Sequence, residues 1–213
     1  MTSDAWVLLA AAATLALVDW WAVWNRRPSV RHIAKPGTLV ALIGVAIALD
    51  PFDPAIRTWM VAGLVLSLAG DVFLMLAERW FIAGLVSFLL GHVAYVVALQ
   101  QAPRSLAWSA VSGAVVIACG VTIGRRIVAR VGAGSNANLA GPVVAYLVVI
   151  SAMVVSAFGT AAALAIVGAL LFYASDATLA WNRFVEPRKL GPLAVMVTYH
   201  LGQAGLVGWL VTG

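Results

Sequence analysis

Residues 59–77 read Trp-Met-Val-Ala-Gly-Leu-Val-Leu-Ser-Leu-Ala-Gly-Asp-Val-Phe-Leu-Met-Leu-Ala, with Asp71 the one ionisable side chain in the run. Wound as an α-helix at about 1.5 Å per residue, the run matches a hydrocarbon core of about 30 Å. A helix on the surface of a water-soluble domain would show a polar stripe every three to four residues. This run has none, so its solvent is lipid.

Comparable runs recur on both sides of it. They place membrane spans at Ala5–Trp24, Pro36–Leu49, Trp59–Ala77, Trp80–Leu99, Ser105–Ile123, Leu139–Phe158, Ala161–Trp181 and Leu190–Val211. The expected fold is therefore all-α, a polytopic bundle of eight transmembrane helices forming a single integral membrane domain over residues 1–213. Composition agrees: 63% of residues are hydrophobic and 10% charged, with a mean hydropathy of +1.02. Soluble domains carry about 25% charged residues. The first run does not read as a cleavable leader, because no basic segment precedes it and Arg26 and Arg27 follow it.

Lys and Arg mark the cytoplasmic loops of such proteins. Loops 1–2, 3–4, 5–6 and 7–8 hold Arg26, Arg27, Arg31, Lys35, Arg79, Arg125, Arg126, Arg130, Arg183, Arg188 and Lys189, whereas the other side holds Arg57 and Arg104. That bias, with an even number of spans, puts both termini outside the cytoplasm. It also explains the net charge of +5 without nucleic acid, since the basic residues are scattered over short loops. Cys119 is the single cysteine, which leaves no intramolecular disulfide and no cysteine-based zinc site.

Gly132–Asn138 reads as a hinge between two halves that share landmarks. Gly70-Asp71 corresponds to Ser175-Asp176 at an offset of 105, Pro36 to Pro142 at 106, and His92 to His200 at 108. These fit a four-plus-four internal repeat with parallel halves.

An ionisable group inside a span costs about 2.5–3.5 kcal/mol on insertion scales and normally faces the bundle interior. Asp71, Asp176, His200 and His92 lie roughly 10–20 Å from the basic ends of their spans, counted at the helical rise. Helical spacing adds Ser67 to the face of Asp71, Tyr95 to that of His92, Tyr173 to that of Asp176, and Gln203 to that of Tyr199 and His200. Two carboxyl groups in so low a dielectric tend to share a proton, which an acid catalyst can use. Asp19 reads differently. It sits one turn from the end of span 1 beside Trp20, Trp21 and Trp24, as part of an interfacial aromatic belt. Lys35 beside Pro36 reads as an anchor at the cytoplasmic start of span 2. Ser87-x-x-x-Gly91 and Gly120-x-x-x-Gly124 read as sites of close helix packing.

Together these pieces resemble the YhhN-like lysoplasmalogenase family. The matching segments are Lys35-Pro36, Gly70-Asp71-Val72-Phe73-Leu74, Phe81 to Gly84 with Phe88 and Gly91-His92-x-x-Tyr95, Tyr173-x-Ser175-Asp176, and Tyr199-His200-x-Gly202-Gln203. The resemblance implies an eight-span membrane hydrolase of lipid metabolism that cleaves the vinyl ether bond of lysoplasmalogens to a fatty aldehyde and a glycerophospho-base. On that reading Asp71 and Asp176 are the acid pair acting on an oxocarbenium-like transition state, as in glycosidases. His200 or His92 would position water and shuttle protons, Tyr173, Tyr199 and Gln203 with Tyr95 would bind the glycerol end, and Lys35 and Arg183 would meet the phosphate. The implied partners are the lysophospholipid substrate and membrane lipids, with no cofactor and no metal. Eleven Arg against two Lys, in a chain rich in Ala, Val and Gly, point to a bacterial plasma membrane.

Two other functions compete. Intramembrane acids with a repeat also suit a proton-coupled transporter of a small amphiphile, although no span is broken at its midpoint by Gly or Pro. His92, His200 and an Asp could instead serve a metal-dependent lipid hydrolase. Topology can be measured directly: reporters within Asp50–Asp53 or after Gly213 are expected on the extracytoplasmic side and those near Arg126 and Glu186 in the cytoplasm, and a cytoplasmic C-terminus would overturn the eight-span count.

Overall fold

The structure is a computed structural model that describes residues 2–133 and 137–212. Residues 134–136, the middle of the expected Gly132–Asn138 hinge, lie outside the described residues. Among the described residues there are nine α-helices and no strand: α1 Ser3–Trp24, α2 Pro28–Ala48, α3 Pro54–Met75, α4 Phe81–Gln100, α5 Leu106–Cys119, α6 Arg125–Ala133, α7 Ala140–Gly159, α8 Ala163–Phe184 and α9 Gly191–Trp209. α5 and α6 are joined by a π-helical turn, Gly120–Gly124, into one rod from Leu106 to Ala133, so the helices make up eight membrane-length units.

Seven of these eight are long and apolar enough to cross a membrane by composition alone. α9 is the exception, because it carries Tyr199, His200 and Gln203, three polar side chains that are buried inside the bundle. The outer surface is apolar: Leu106 is 86% exposed and Val7 69%. Water would penalise such a surface and lipid does not.

Helix starts carry the chemistry expected where the chain meets water. Asp53 accepts hydrogen bonds from Ala55 N (2.7 Å) and Ile56 N, and Pro54 follows it at the first helical position. Thr2 caps α1 through Ala5 N. The turn between α1 and α2 is so short that Arg26 takes a left-handed φ of 53°, and Ala161 does the same between α7 and α8.

Two hairpins form the middle of the bundle, α3 with α4 and α8 with α9, and each is closed by glycine. A Cβ added at Gly91 would lie 3.2 Å from Gly63 O and from Ser67 Oγ; one at Gly168 would lie 2.8 Å from Leu206 N and 2.9 Å from Gly202 O. In hydrocarbon such backbone proximity replaces the hydrophobic effect as the source of helix adhesion. A serine crosses each hairpin as well: Ser87 Oγ donates to Leu66 O (2.7 Å) and Ser175 Oγ to Val195 O (3.0 Å). α1 and α2 pack as a third hairpin, α4 lies against α7, and α9 returns to α1 and α2. The last span of each half thus packs against the second span of the other.

Three expectations need correction. Pro36 does not open span 2, which begins two turns earlier at Pro28 and carries Pro36 inside it. The basic residues that read as a loop there, Arg31 and Lys35 with His32, lie on the helix. Gly120 meets nothing within 4 Å and lies in a π-helical turn, whereas a Cβ at Gly124 would lie 3.7 Å from Leu147, so of Gly120-x-x-x-Gly124 only the second glycine faces another helix. The hairpin contacts give a stability prediction. Gly168→Val, driven into backbone, is expected to cost at least about 1–3 kcal/mol and to lower the melting temperature in detergent, whereas Gly113→Ala, with open space around it, is expected to leave it unchanged; equal melting for both variants would contradict the glycine crossing.

Candidate active site

Lys35 and Arg31 are four residues apart on α2 and so project from one face. Lys35 is 4% exposed, and its Nζ lies 2.8 Å from Oδ1 of the fully buried Asp71 on α3. Tyr199 on α9 donates from its hydroxyl to Oδ2 of the same carboxylate at 2.9 Å. Lys35 is therefore not a surface anchor. Because α2 starts eight residues earlier than expected from Pro36, its ammonium is carried two turns into the bundle. Asp19 is also misread as an interfacial residue: it is fully buried, with Arg31 Nε 4.0 Å from its Oδ1.

Asp176 on α8 has a separate set of partners. Tyr146 on α7 donates its hydroxyl to Oδ2 at 2.5 Å, and His92 Nε2 on α4 is 3.6 Å from the same oxygen. His92 Nδ1 is 2.7 Å from Phe88 O. A carbonyl can only accept, so the hydrogen is assigned to Nδ1 and Nε2 carries the lone pair. The imidazole is held among the rings of Phe172 (4.6 Å between centroids) and Tyr146 (5.3 Å). The Asp176 side chain is 14% exposed, whereas that of Asp71 is fully buried.

Tyr146 was not among the expected site residues. Tyr173, one turn before Asp176, was the phenol assigned to it by helical spacing; it lines the cavity described below, but the hydroxyl on Asp176 comes from the neighbouring helix. A signal was present, because all four tyrosines of the chain lie inside spans and only Tyr146 had been left without a role.

The other expected residues sit deeper or to one side. Tyr95 donates to Gln203 Oε1 at 2.6 Å, both fully buried, where α4 meets α9. His200 turns away from Asp71 toward α1, where its Nδ1 accepts from Trp20 Nε1 at 3.1 Å with the two rings stacked. Trp20 is thus a packing partner rather than a belt residue. His92 lies beside Asp176 while His200 bonds Trp20, and among the described residues no three His, Cys, Asp or Glu side chains are grouped to hold a metal ion.

Asp71 and Asp176 line one cavity of about 510 Å³, within the 300–1,000 Å³ range of small-molecule sites. Its walls are apolar, with Leu74, Leu85, Phe88, Leu147, Ile150 and Met196, and the two carboxyl groups with Tyr146, Tyr173 and Tyr199 form its polar end. It extends toward the basic ends of the helices, where Arg31, His32 and Arg183 lie. Arg183 pairs with Glu78 and stacks over the Phe81 ring at 3.9 Å. The arrangement suits an amphiphile with a polar end near the carboxyl groups. The buried ion pair can be tested by stability. Lys35→Met leaves Asp71 uncompensated and is expected to destabilise by about 3–5 kcal/mol, and Lys35→Met with Asp71→Leu is expected to recover most of that; additive losses in detergent unfolding would mean the two groups are not coupled.

Over 36 residues the chain is 56% identical to lysoplasmalogenase TMEM86B of Sus scrofa, a stretch covering 17% of this chain and 16% of the relative. No solved structure matches. The model of the YhhN family matches residues 30–210, which runs from Val30 in α2 through α9 and includes every side chain bonded to Asp71 or Asp176. This multi-pass membrane protein belongs to the YhhN family.

Proposed function

We propose that the protein is a membrane hydrolase that cleaves the vinyl ether bond of lysoplasmalogens, with both termini outside the cytoplasm and the cavity entered from the cytoplasmic face. The observation that carries this is the state of Asp176. One of its oxygens is occupied by Tyr146, and the carboxyl group retains exposure to a largely apolar cavity with a basic end. The lysoplasmalogenase relative supports the substrate class through its 36-residue match.

The two carboxyl groups divide the work by their partners. Asp71 is fixed as a carboxylate by the Lys35 ammonium and the Tyr199 hydroxyl, so the donated proton belongs to Asp176. That proton goes to the β-carbon of the vinyl ether, and the electrons of the double bond form the new C–H bond. The resulting oxocarbenium ion takes up water at the α-carbon, the water losing a proton to the His92 Nε2 lone pair. The hemiacetal then collapses to a fatty aldehyde and the glycerol hydroxyl, and a proton returns to Asp176 by way of His92. One water is consumed, and the enzyme ends as it began. Arg183, paired with Glu78 and stacked on Phe81, closes the α8 wall at the basic end. Tyr95 and Gln203 hold α4 against α9 beneath the site, and His200 steadies Tyr199 from the α1 side.

Purified protein given a lysoplasmalogen is expected to release free aldehyde, and none from the saturated 1-alkyl analogue, with or without a chelator. Asp176→Asn and Asp71→Asn are each expected to lower turnover by about 10²–10⁴-fold, with the double variant little worse than either, as for groups acting together. Absence of aldehyde release by the folded wild type would sink the assignment, and normal turnover by Asp176→Asn would sink the mechanism.

A further inference from the structure

Arg31 stands one turn nearer the basic end of α2 than Lys35 and lines the same cavity. The other cations of the cavity are engaged: Lys35 holds Asp71, and Arg183 holds Glu78 and the face of Phe81. Arg31 is differently placed. Its Nε points at Asp19 Oδ1, 4.0 Å away, and its Nη2 lies 3.6 Å from Met196 Sδ, a weak acceptor. Its side chain remains 36% exposed. Asp19 is fully buried, and neither of its oxygens has a hydrogen-bond partner. A carboxylate in that position is tolerable only beside a cation. It therefore holds the Nε edge of the guanidinium, in a side chain that lines the cavity and whose fork suits phosphate oxygens. His32 adjoins it on the same wall.

We infer that Arg31, oriented by Asp19 from behind and flanked by His32, forms an anion-binding subsite on the α2 wall that takes the phosphodiester of a lysophospholipid. This deepens the proposed function and rests on its reading of the substrate as a lysophospholipid. Arg31 is the binding residue and Asp19 a positioning residue acting through it. The phosphate then sits one helical turn outward of the Lys35–Asp71 pair, with the glycerol leading inward to Asp176. Phosphate-bearing ether lipids are thereby selected over neutral alkenylglycerols, a selection the carboxyl pair alone does not make.

The test is equilibrium binding to the purified full chain in nanodiscs, with 1-O-alkyl-glycerophosphocholine and 1-O-alkylglycerol of equal chain length, neither of which is cleaved. The wild type is expected to favour the phosphate-bearing ligand by about tenfold or more. Arg31→Gln is expected to erase the preference, Arg31→Lys to restore part of it, and Asp19→Asn to reduce it several-fold. Equal affinities in the wild type, or an unchanged ratio in Arg31→Gln, would overturn the subsite. Displacement by glycerophosphocholine but not by inorganic phosphate supports a lipid headgroup, and equal displacement by both overturns that assignment. The readout does not depend on turnover. A protein that shows the preference yet releases no aldehyde keeps the subsite and loses the hydrolase reading; one that cleaves vinyl ethers without the preference does the reverse.

Discussion

An ammonium ion inside hydrocarbon must have a carboxylate beside it, and the position of Lys35 makes that demand on the whole bundle. Two charges removed from water repay their desolvation only when the geometry is close and the remaining valences are filled. Asp71 meets the first requirement at 2.8 Å and Tyr199 the second, so one pair ties α2 to α3 and α9. One turn toward the basic end, Arg31 and Asp19 repeat the arrangement and draw in α1. Glycine contacts make the hairpins, and these polar ties set how the hairpins stand to one another.

The second half solves the corresponding problem without a cation. Asp176 occupies the place in α8 that Asp71 has in α3, and each takes one partner from the preceding span of its own half and one from the last span of the other. For Asp71 these are Lys35 and Tyr199; for Asp176 they are Tyr146 and His92. Equivalent positions therefore acquire different partners, an ammonium and a phenol in one half and a phenol and an imidazole in the other.

Most of the fold could be read from the chain because lipid is an undemanding solvent: a run of about twenty apolar residues has no alternative to a helix. The boundary of α2 was lost for a physical reason. Arg31, His32 and Lys35 look like an interface segment until their partners Asp19 and Asp71, distant in sequence, are brought beside them. Asp71, Asp176 and His92 were legible because an ionisable group within a span must face inward. Tyr146 was not, because a phenol is admissible at many depths and helical spacing offered Tyr173 first. The turn of His200 toward Trp20 depends on how α1 packs, which no local pattern encodes.

The hydrogen bond between Tyr95 and Gln203 has a consequence for ancestry. The two residues are separated by the same 108 positions that relate His92 to His200, so in a four-plus-four repeat they are equivalent places, and they touch each other. In a dimer of identical four-span chains that contact would fall on the symmetry axis and present the same residue twice, two phenols or two amides. A donor facing an acceptor of another kind is not open to two copies of one identical chain. A single chain can therefore differ at such an axis, and give Asp71 and Asp176 the unlike partners that two identical chains would be obliged to keep alike.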